Sequence, residues 1–294
     1  MNRTDFIKTL ALFPIAGAVL PLNCLNKLAD GLDESPEMPV LFVGHGSPMN
    51  AIEENEFVKG FREMATTLPR PKAILCISAH WETQGTYVTA MRQPKTIHDF
   101  GGFPEALYQQ HYPAPGDPIL ANEIQAMIHK TPVNGDLNWG LDHGAWTVLK
   151  HFYPYADIPV VQCSLDYTKD PQFHYDLAAE LKPLRKRGIL IIGSGNMVHN
   201  LGRLDWNRLN EVGYAYDWAA EASEKMKKSM FTGDHASLIR YREQGKDFQL
   251  AIPSPEHYLP LLYVLGLQRK DERLTLFNDR ALAGSLTMTS VRIG

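Results

Sequence analysis

The sequence has few cysteines, no apolar run long enough to span a bilayer and no large cluster of one charge. Its three cysteines, Cys24, Cys76 and Cys163, are too few and too scattered to indicate a disulfide framework or a cysteine metal site. The net charge is −4 at pH 7, and the longest basic run is residues 185–187. This composition excludes a nucleic-acid or anionic-membrane surface and leaves a small molecule as the natural partner.

The N-terminal residues have the pattern of an export signal. A basic start with Arg3 and Lys8 precedes an apolar stretch at residues 10–20, which is too short for a membrane span. We therefore predict that residues 1–37 are a signal-like segment with a polar linker, and that residues 38–294 are one folded domain. The protein would then be exported, either periplasmic or membrane-anchored. The alternative is a cytosolic amphipathic extension on a cytoplasmic protein.

Short apolar runs alternate with helix-like patterns from residue 39 onward, which is typical of an α/β sheet. Predicted strands lie at residues 40–43, 73–77, 85–91, 158–163, 189–192 and 286–293. Predicted helices lie at residues 55–68, 117–130, 170–188, 216–230 and 256–265. We find no repeat and no second linker. The sequence predicts a single α/β domain with a central, mostly parallel or mixed sheet flanked by helices.

Four of the eleven histidines stand just beyond a predicted strand or at the start of a helix: His45, His80, His199 and His257. A single histidine is more often a surface or hydrogen-bonded core residue. The carboxyl ends of parallel strands, however, share one rim of the sheet, so these histidines are expected to converge. Neutral imidazole is the commonest protein ligand for transition metals. The joint pattern therefore favours a metal site at the C-terminal strand ends.

Two further histidines lie in segments rich in glycine and aromatic residues. His143 follows Asp142 in "WGLDHGAW", outside any periodic element, and His98 precedes Asp99 in the long loop of residues 92–118. Both are candidates for acid/base chemistry or substrate contacts. The alternative for each is a packed, aromatic-rich loop.

Seven segments in order resemble those of one enzyme family. They are "LFVGHGSPMN", "SAHW", "TIHDFGGFP", "YPAPG", "LDHGAW", "GSGNMVHNL" and "PSPEHYLPLLYVLG". Together they resemble the class III extradiol ring-cleavage dioxygenases (LigB-like), in particular the 4,5-DOPA extradiol dioxygenase branch. The resemblance runs from about Met38 to Gly294, which makes residues 38–294 the expected catalytic domain.

The resemblance implies a non-haem Fe(II) site, with Zn(II) as an occupant of the isolated protein. By motif, His45 and His80 correspond to the first two metal ligands, and His257 corresponds to a later one. His199 matches a residue that is either a further metal ligand or an acid/base group. His143 matches a second acid/base histidine.

The reaction that the resemblance implies is extradiol cleavage of a catechol with O2, giving a muconic-semialdehyde-type product. Cleavage of DOPA at the 4,5 position is the inference from the branch name. Trp81, His98 and Phe103 are the expected substrate contacts. A wider aromatic wall for the ring would consist of Trp81, Phe100, Phe103, Trp139 and Trp146.

The role of His199 depends on how many coordination positions the reaction needs. A six-coordinate metal with three protein ligands keeps three positions open, enough for a catechol bound through both oxygens and for O2. We therefore expect His45, His80 and His257 to hold Fe(II) while His199 moves protons. The rival hypotheses are a zinc-dependent hydrolase and a non-catalytic metal-binding protein on the same fold.

Overall fold

The computed structural model describes residues 37–294, so the predicted export signal and Cys24 lie outside the described residues. Within residues 37–294, no helix is both long and apolar enough to cross a membrane. The strands of this region are β1 (Val40–Gly44), β2 (Ala73–Thr83), β3 (Thr86–Thr89), β4 (Val133–Asp136), β5 (Val160–Asp166), β6 (Ile189–Gly195), β7 (Leu274–Phe277), β8 (Ala281–Leu282), β9 (Leu286–Thr287) and β10 (Ser290–Ile293).

Eight of these strands form one mixed sheet in the order β4-β3-β5-β2-β6-β1-β10-β7, while β8 pairs with β9. The four central strands β5, β2, β6 and β1 are parallel neighbours. Antiparallel pairing joins β10 to β1, β7 to β10 and β3 to β5, and β4 lies parallel to β3. The prediction of a single α/β domain with a mixed sheet is confirmed.

Helices cover both faces of the sheet. They are α1 (Glu56–Thr66), α2 (Glu105–Tyr108), α3 (Pro118–Met127), α4 (His143–Phe152), α5 (Pro171–Glu180), α6 (Lys182–Lys186), α7 (Asp217–Thr232), α8 (His235–Ile239), α9 (Lys246–Ala251) and α10 (Leu259–Leu267), with single 3-10 turns at Pro48–Ala51, Leu201–Arg203 and Tyr241–Glu243. Alternate residues of β1 face opposite layers: Val40 and Phe42 pack with α5 and α10, whereas Leu41 and Val43 pack with α1 and α4. Burial on both faces explains the continuous apolar runs of the central strands.

The second strand is longer than its apolar run. The sequence predicted an end at Ile77, but β2 continues to Thr83, so His80 lies within the strand. While β2 advances from Ile77 to Glu82, its neighbour β5 advances only from Cys163 to Leu165. The extra residues of β2 form a bulge, a device that re-aims side chains beside active sites.

Helix α4 was missing from the prediction. His143 was assigned to an irregular segment, whereas it is the first residue of α4, and the Asp142 carboxylate caps the helix by accepting the Ala145 N–H. Every residue of α4 except Lys150 is buried. The helix has ten residues and opens with His143 and Gly144, and glycine has a low helix propensity, so the segment resembles a loop in the sequence.

Other boundaries also differ from the prediction. Strand β6 extends past the predicted end at residue 192 to Gly195, and the helix predicted over residues 170–188 is divided into α5 and α6. Helix α10 begins at Leu259, after His257, and the last predicted strand is divided into β9 and β10. The short strands β4 and β7, which are partly exposed, were not predicted.

Candidate active site

Four histidines meet where β1, β2 and β6 end and α4 begins. His45 follows β1 directly, His80 lies on the bulge of β2, and His257 precedes α10. Ring nitrogens of these three residues, hereafter the histidine cluster, lie within 4.8 Å of one another. His143 completes the group, with its ring centroid 3.9 Å from that of His80 and 5.6 Å from that of His45.

A hydrogen-bond chain fixes the tautomer of His45. The Ser194 hydroxyl donates its single proton to the carbonyl of Gly144 at 2.5 Å, so towards His45 Nδ1, at 3.0 Å, it accepts. His45 must therefore carry its proton on Nδ1, which leaves a lone pair on Nε2. That Nε2 atom lies 3.1 Å from Nε2 of His80.

One carboxylate faces both His80 and His143. Oδ2 of Asp99 lies 3.4 Å from Nδ1 of His80 and 2.9 Å from Nδ1 of His143. Oδ1 of Asp99 accepts the backbone N–H of His143 at 2.8 Å. Burial raises the pKa of Asp99, but the hydrogen bonds from His143 outweigh it and hold the pKa below its usual range. Asp99 is thus an ionised acceptor for the Nδ1–H of His143, and it faces Nδ1 of His80 in an electrostatic contact rather than a hydrogen bond.

The third member of the cluster has a carboxylate of its own. His257 Nδ1 lies 3.3 Å from Oε1 of Glu256, which also accepts from the Ser254 hydroxyl at 2.9 Å. Although burial raises the pKa of Glu256, the hydrogen bond from His257 is the main reason that its pKa falls to about 2. Each member of the cluster therefore has an acceptor at Nδ1 and a free Nε2.

Burial keeps the cluster neutral. Desolvation lowers the pKa of His45, His80 and His257, and the mutual repulsion of their positive forms adds to this for His45 and His80. Neutral imidazole is the form that binds a metal ion. At physiological pH the three Nε2 lone pairs are thus available without competition from protons.

The distances fit a transition-metal ion. Two ligands on one metal, each at about 2.1 Å, stand roughly 3.0 to 3.4 Å apart in octahedral or tetrahedral geometry, and the Nε2 atoms of His45 and His80 are 3.1 Å apart. Two facing lone pairs at this distance repel each other unless a cation lies between them. Nitrogen donors backed by carboxylates and a hydroxyl are the usual surroundings of a bound zinc or iron ion.

His199 lies beside the cluster in a different arrangement. Its ring stacks on that of His257, with centroids 3.5 Å apart and planes at 7°. Its ring nitrogen groups with Glu256 and His257 rather than with His45 and His80. In-plane lone pairs of stacked rings run parallel, so they do not converge on one metal. Burial lowers the pKa of His199 to about 3.

A second buried carboxylate, that of Asp142, anchors the start of helix α4. Asp142 accepts hydrogen bonds from the Ser78 hydroxyl at 2.6 Å and from the Gln162 amide at 2.7 Å. Burial raises the pKa of Asp142, and these hydrogen bonds oppose the rise. Because Ser78 and Gln162 belong to β2 and β5, Asp142 ties the start of α4 to the sheet beneath the site.

The ring contacts of the predicted substrate-binding residues Trp81, His98 and Phe103 are with other aromatic residues rather than with the histidine cluster. Trp81 is buried and stacks on Trp139, with centroids 5.7 Å apart. His98 donates its Nε2–H to the Gln110 carbonyl, 2.9 Å away, and its ring contacts Trp146. Phe103 contacts Phe100 edge to face, with ring centroids 5.4 Å apart.

Phe100, rather than Phe103, is the phenylalanine that reaches the site. Its ring centroid lies 5.6 Å from that of His143. A separate surface cavity of about 730 Å³ lies beside α1 and α4, lined by residues such as Arg62, Lys150 and His151, and none of the cluster histidines lines it.

Sequence reasoning missed the residues that orient the imidazoles. Asp99 was noticed only as the neighbour of His98, and Ser194 and Glu256 were not singled out. Adjacency to His257 was an available signal for Glu256. Ser194 offered none, because a serine inside a buried strand shows no pattern of its own.

Comparison with known proteins agrees with the geometry. The family described as the catalytic LigB subunit of aromatic ring-opening dioxygenase matches residues 35–285. A protein of Escherichia coli (strain K12) named 4,5-DOPA dioxygenase extradiol is 46% identical over 269 residues, or 90% of this chain and 98% of that protein. A Beta vulgaris protein of the same name is 38% identical over 258 residues, or 85% of this chain and 94% of that protein.

A solved structure shares the fold. A crystal structure of an uncharacterized protein from Escherichia coli K12 matches with a TM-score of 0.76 and 41% identity, covering 87% of this chain and 100% of that one. These comparisons favour neither a zinc-dependent hydrolase nor a non-catalytic metal-binding protein. With a family match over most of its length and relatives aligned almost end to end, this chain belongs to the LigB family of aromatic ring-opening dioxygenases and is an extradiol dioxygenase.

Proposed function

We propose that the histidine cluster holds Fe(II) and that the chain uses O2 to open a catechol ring beside its diol. The observation that carries this proposal is the convergence of three neutral imidazoles, each with its Nδ1–H paired, beside the ring of His143. Three protein ligands leave coordination positions for a catechol and for O2. When bound, the metal supplies a Lewis acid that lowers the pKa of a catechol hydroxyl and an electron donor towards O2.

His143 is the proposed acid/base group. With its Nδ1–H donated to Asp99, its Nε2 lone pair is free to take a proton from the catechol and to return it later in turnover. The N-terminal position of His143 on α4 fixes the ring relative to the cluster.

His199 is the proposed second proton carrier. Burial keeps it neutral, and its ring stacks on His257 beside the other cluster histidines. We therefore assign His45, His80 and His257 to the metal, and His143 and His199 to proton transfer. The wall of the site beside His143 is formed by Phe100, whose face is suited to an aromatic ring.

The proposed substrate is a catecholic amino acid such as DOPA, cleaved at the 4,5 position. This substrate is supported by the name 4,5-DOPA dioxygenase extradiol, which the relatives of 46% and 38% identity carry. Both atoms of O2 enter the product, one as the new aldehyde oxygen and one in the new carboxylate. The product is a muconic semialdehyde.

The test is reconstitution of the protein with Fe(II) without oxygen, followed by addition of DOPA and other catechols in an oxygen electrode. We expect one O2 to be consumed for each catechol, with appearance of the yellow ring-opened product. The protein loaded with Zn(II) is expected to consume no O2. Absence of O2 uptake with every catechol would remove the proposed reaction.

A variant separates proton transfer from metal binding. His143→Phe is expected to keep its iron and to lose roughly 10²-fold or more in kcat, the usual scale of acid/base catalysis. The matched control is His129→Phe, because His129 is exposed. Unchanged turnover of His143→Phe would exclude His143 from the reaction.

A further inference from the structure

The Asp99 carboxylate contacts two histidines that have different tasks in the proposed function. Its Oδ2 atom faces Nδ1 of His80, a proposed metal ligand, and Nδ1 of His143, the proposed acid/base group. Its Oδ1 atom accepts the backbone N–H at the start of α4. The side chain of Asp99 is 17% exposed, compared with 20% for His80 and 7% for His143, so its carboxylate is partly shielded from bulk water although the residue as a whole lies at the surface.

We propose that Asp99 is a positioning residue that fixes both His80 and His143 as Nδ1–H tautomers and holds their two rings at one distance. The inference rests on the proposed function for the tasks of the two histidines. A carboxylate only accepts hydrogen bonds, so any ring nitrogen that faces it must carry a proton. Each ring is then left with its lone pair on Nε2, where His80 binds the metal and His143 reaches the substrate.

Sharing one oxygen atom adds a geometric constraint. The His143 ring donates a hydrogen bond to Oδ2 at 2.9 Å, and Nδ1 of His80 lies 3.4 Å from the same atom. A shift of the carboxylate therefore changes its distance to both rings, whose centroids are 3.9 Å apart. The second hydrogen bond from His143, donated by its backbone N–H, anchors the carboxylate to α4 rather than to its own loop. Asp99 thereby links the metal ligand on β2 to the proton carrier on α4.

An amide in place of this carboxylate breaks the arrangement. In Asp99→Asn, the amide oxygen can keep the backbone N–H of His143, and the NH2 group then faces the two Nδ1 atoms as a donor. At least one of the imidazoles must move its proton to Nε2 to avoid donor facing donor. If that ring is His80, its metal-binding lone pair is lost, and if it is His143, its Nε2 can no longer take a proton.

The first test needs no variant. In the metal-free wild-type protein at about pH 8, where unperturbed histidine is neutral, ¹⁵N spectra of the assigned imidazoles are expected to show Nδ1–H tautomers for His80 and His143. Finding either of them as the Nε2–H tautomer overturns the proposal, whatever the variants do.

The second test compares Asp99→Asn with Glu105→Gln, the same acid-to-amide change at the exposed first residue of α2. We expect Asp99→Asn to convert at least one of the two rings to the Nε2–H tautomer and to leave His45 and His257 unchanged. The Kd for Zn(II), measured against a chelator, is expected to rise by roughly 10- to 100-fold, the usual effect of losing such a partner. Glu105→Gln is expected to change neither quantity.

Kinetics supply a separate readout. In Asp99→Asn saturated with Fe(II), kcat is expected to fall at least tenfold while KM for the catechol changes less than threefold, because the carboxylate orients groups rather than binding the ring. Unchanged tautomers together with an unchanged Kd for Zn(II) would overturn the proposal. If the wild type consumes no O2 with any catechol, the proposed function fails, and the tautomer and Zn(II) results still decide the role of Asp99.

Discussion

At the scale of single residues, the site is defined by the acceptor group that faces Nδ1 of each imidazole in the histidine cluster. A hydroxyl, one shared carboxylate and one adjacent carboxylate pair with the Nδ1–H groups of His45, His80 and His257. The sequence predicted these three histidines because His45 and His80 follow apolar strands and His257 lies at the start of an apolar helix. It could not predict Ser194 or the task of Asp99, because hydrogen-bond partners distant in the chain leave no local pattern.

Ser194 offers the sharpest test of this orientation. In Ser194→Ala, Nδ1–H of His45 loses its acceptor in a fully buried position, so the tautomer with a lone pair on Nε2 is no longer favoured. We expect the Kd for Zn(II) to rise by about tenfold or more. The measurement is competition with a chelator, with Ser223→Ala on α7 as the buried control. Equal Kd values for wild type and Ser194→Ala would contradict the assigned tautomer.

At the scale of elements, the site depends on close approach between backbones. The Gly195 Cα position is so near the segment before α10 that a Cβ there would lie 2.1 Å from the His257 carbonyl oxygen. The "GSG" segment therefore reflects packing of β6 against His257. A sequence alone does not distinguish a glycine required by a turn from one required by a close contact.

Gly144, the second residue of α4, carries a similar constraint. A Cβ at this position would lie 2.5 Å from Ser78 Oγ and 2.9 Å from Cδ2 of His80. Gly144→Ala must therefore push α4 away from β2. We expect a loss of about 1 to 3 kcal/mol in the free energy of unfolding, the usual cost of overpacking, together with weaker Zn(II) binding.

The measurement for Gly144→Ala is urea unfolding of the metal-free protein, followed by titration with Zn(II). Gly101→Ala is the matched control, since a Cβ at Gly101 would meet nothing within 4 Å. If Gly144→Ala has the same free energy of unfolding as Gly101→Ala, then α4 can move away from β2 without loss of stability. The close approach would then not position His80.

At the scale of the whole molecule, the parallel centre of the sheet was predictable and its edges were not. Strands β1, β2, β5 and β6 are buried on both faces, so their composition alone marks them. Strand β4 is short and partly exposed, and α4 opens with His143 and Gly144 in a segment that resembles a loop, so neither was predicted. The rim on which His45 and His80 meet followed from parallel order, whereas the bulge that aims His80 required the structure.

Burial of neutral histidines on both faces of the sheet makes the stability of the domain depend on pH. His174, on the face opposite α4, lies under α10 with Nδ1 3.3 Å from the Tyr263 hydroxyl. Burial lowers the pKa of His174 to about 4, compared with about 6.5 in an unfolded chain. Between these values the unfolded chain binds the proton and the folded protein does not, so unfolding is favoured as the pH falls.

His174→Gln removes this one titration while leaving the other histidines in place. Wild type is expected to lose free energy of unfolding as the pH falls from about 6.5 to about 4, and the slope in His174→Gln should be smaller by up to about 1.4 kcal/mol per pH unit. Urea unfolding at pH steps across this range measures both slopes. His129→Gln, at an exposed position, should keep the wild-type slope. Equal slopes for wild type and His174→Gln would mean that His174 is already protonated in the folded protein, because a histidine charged in both states contributes nothing to the dependence.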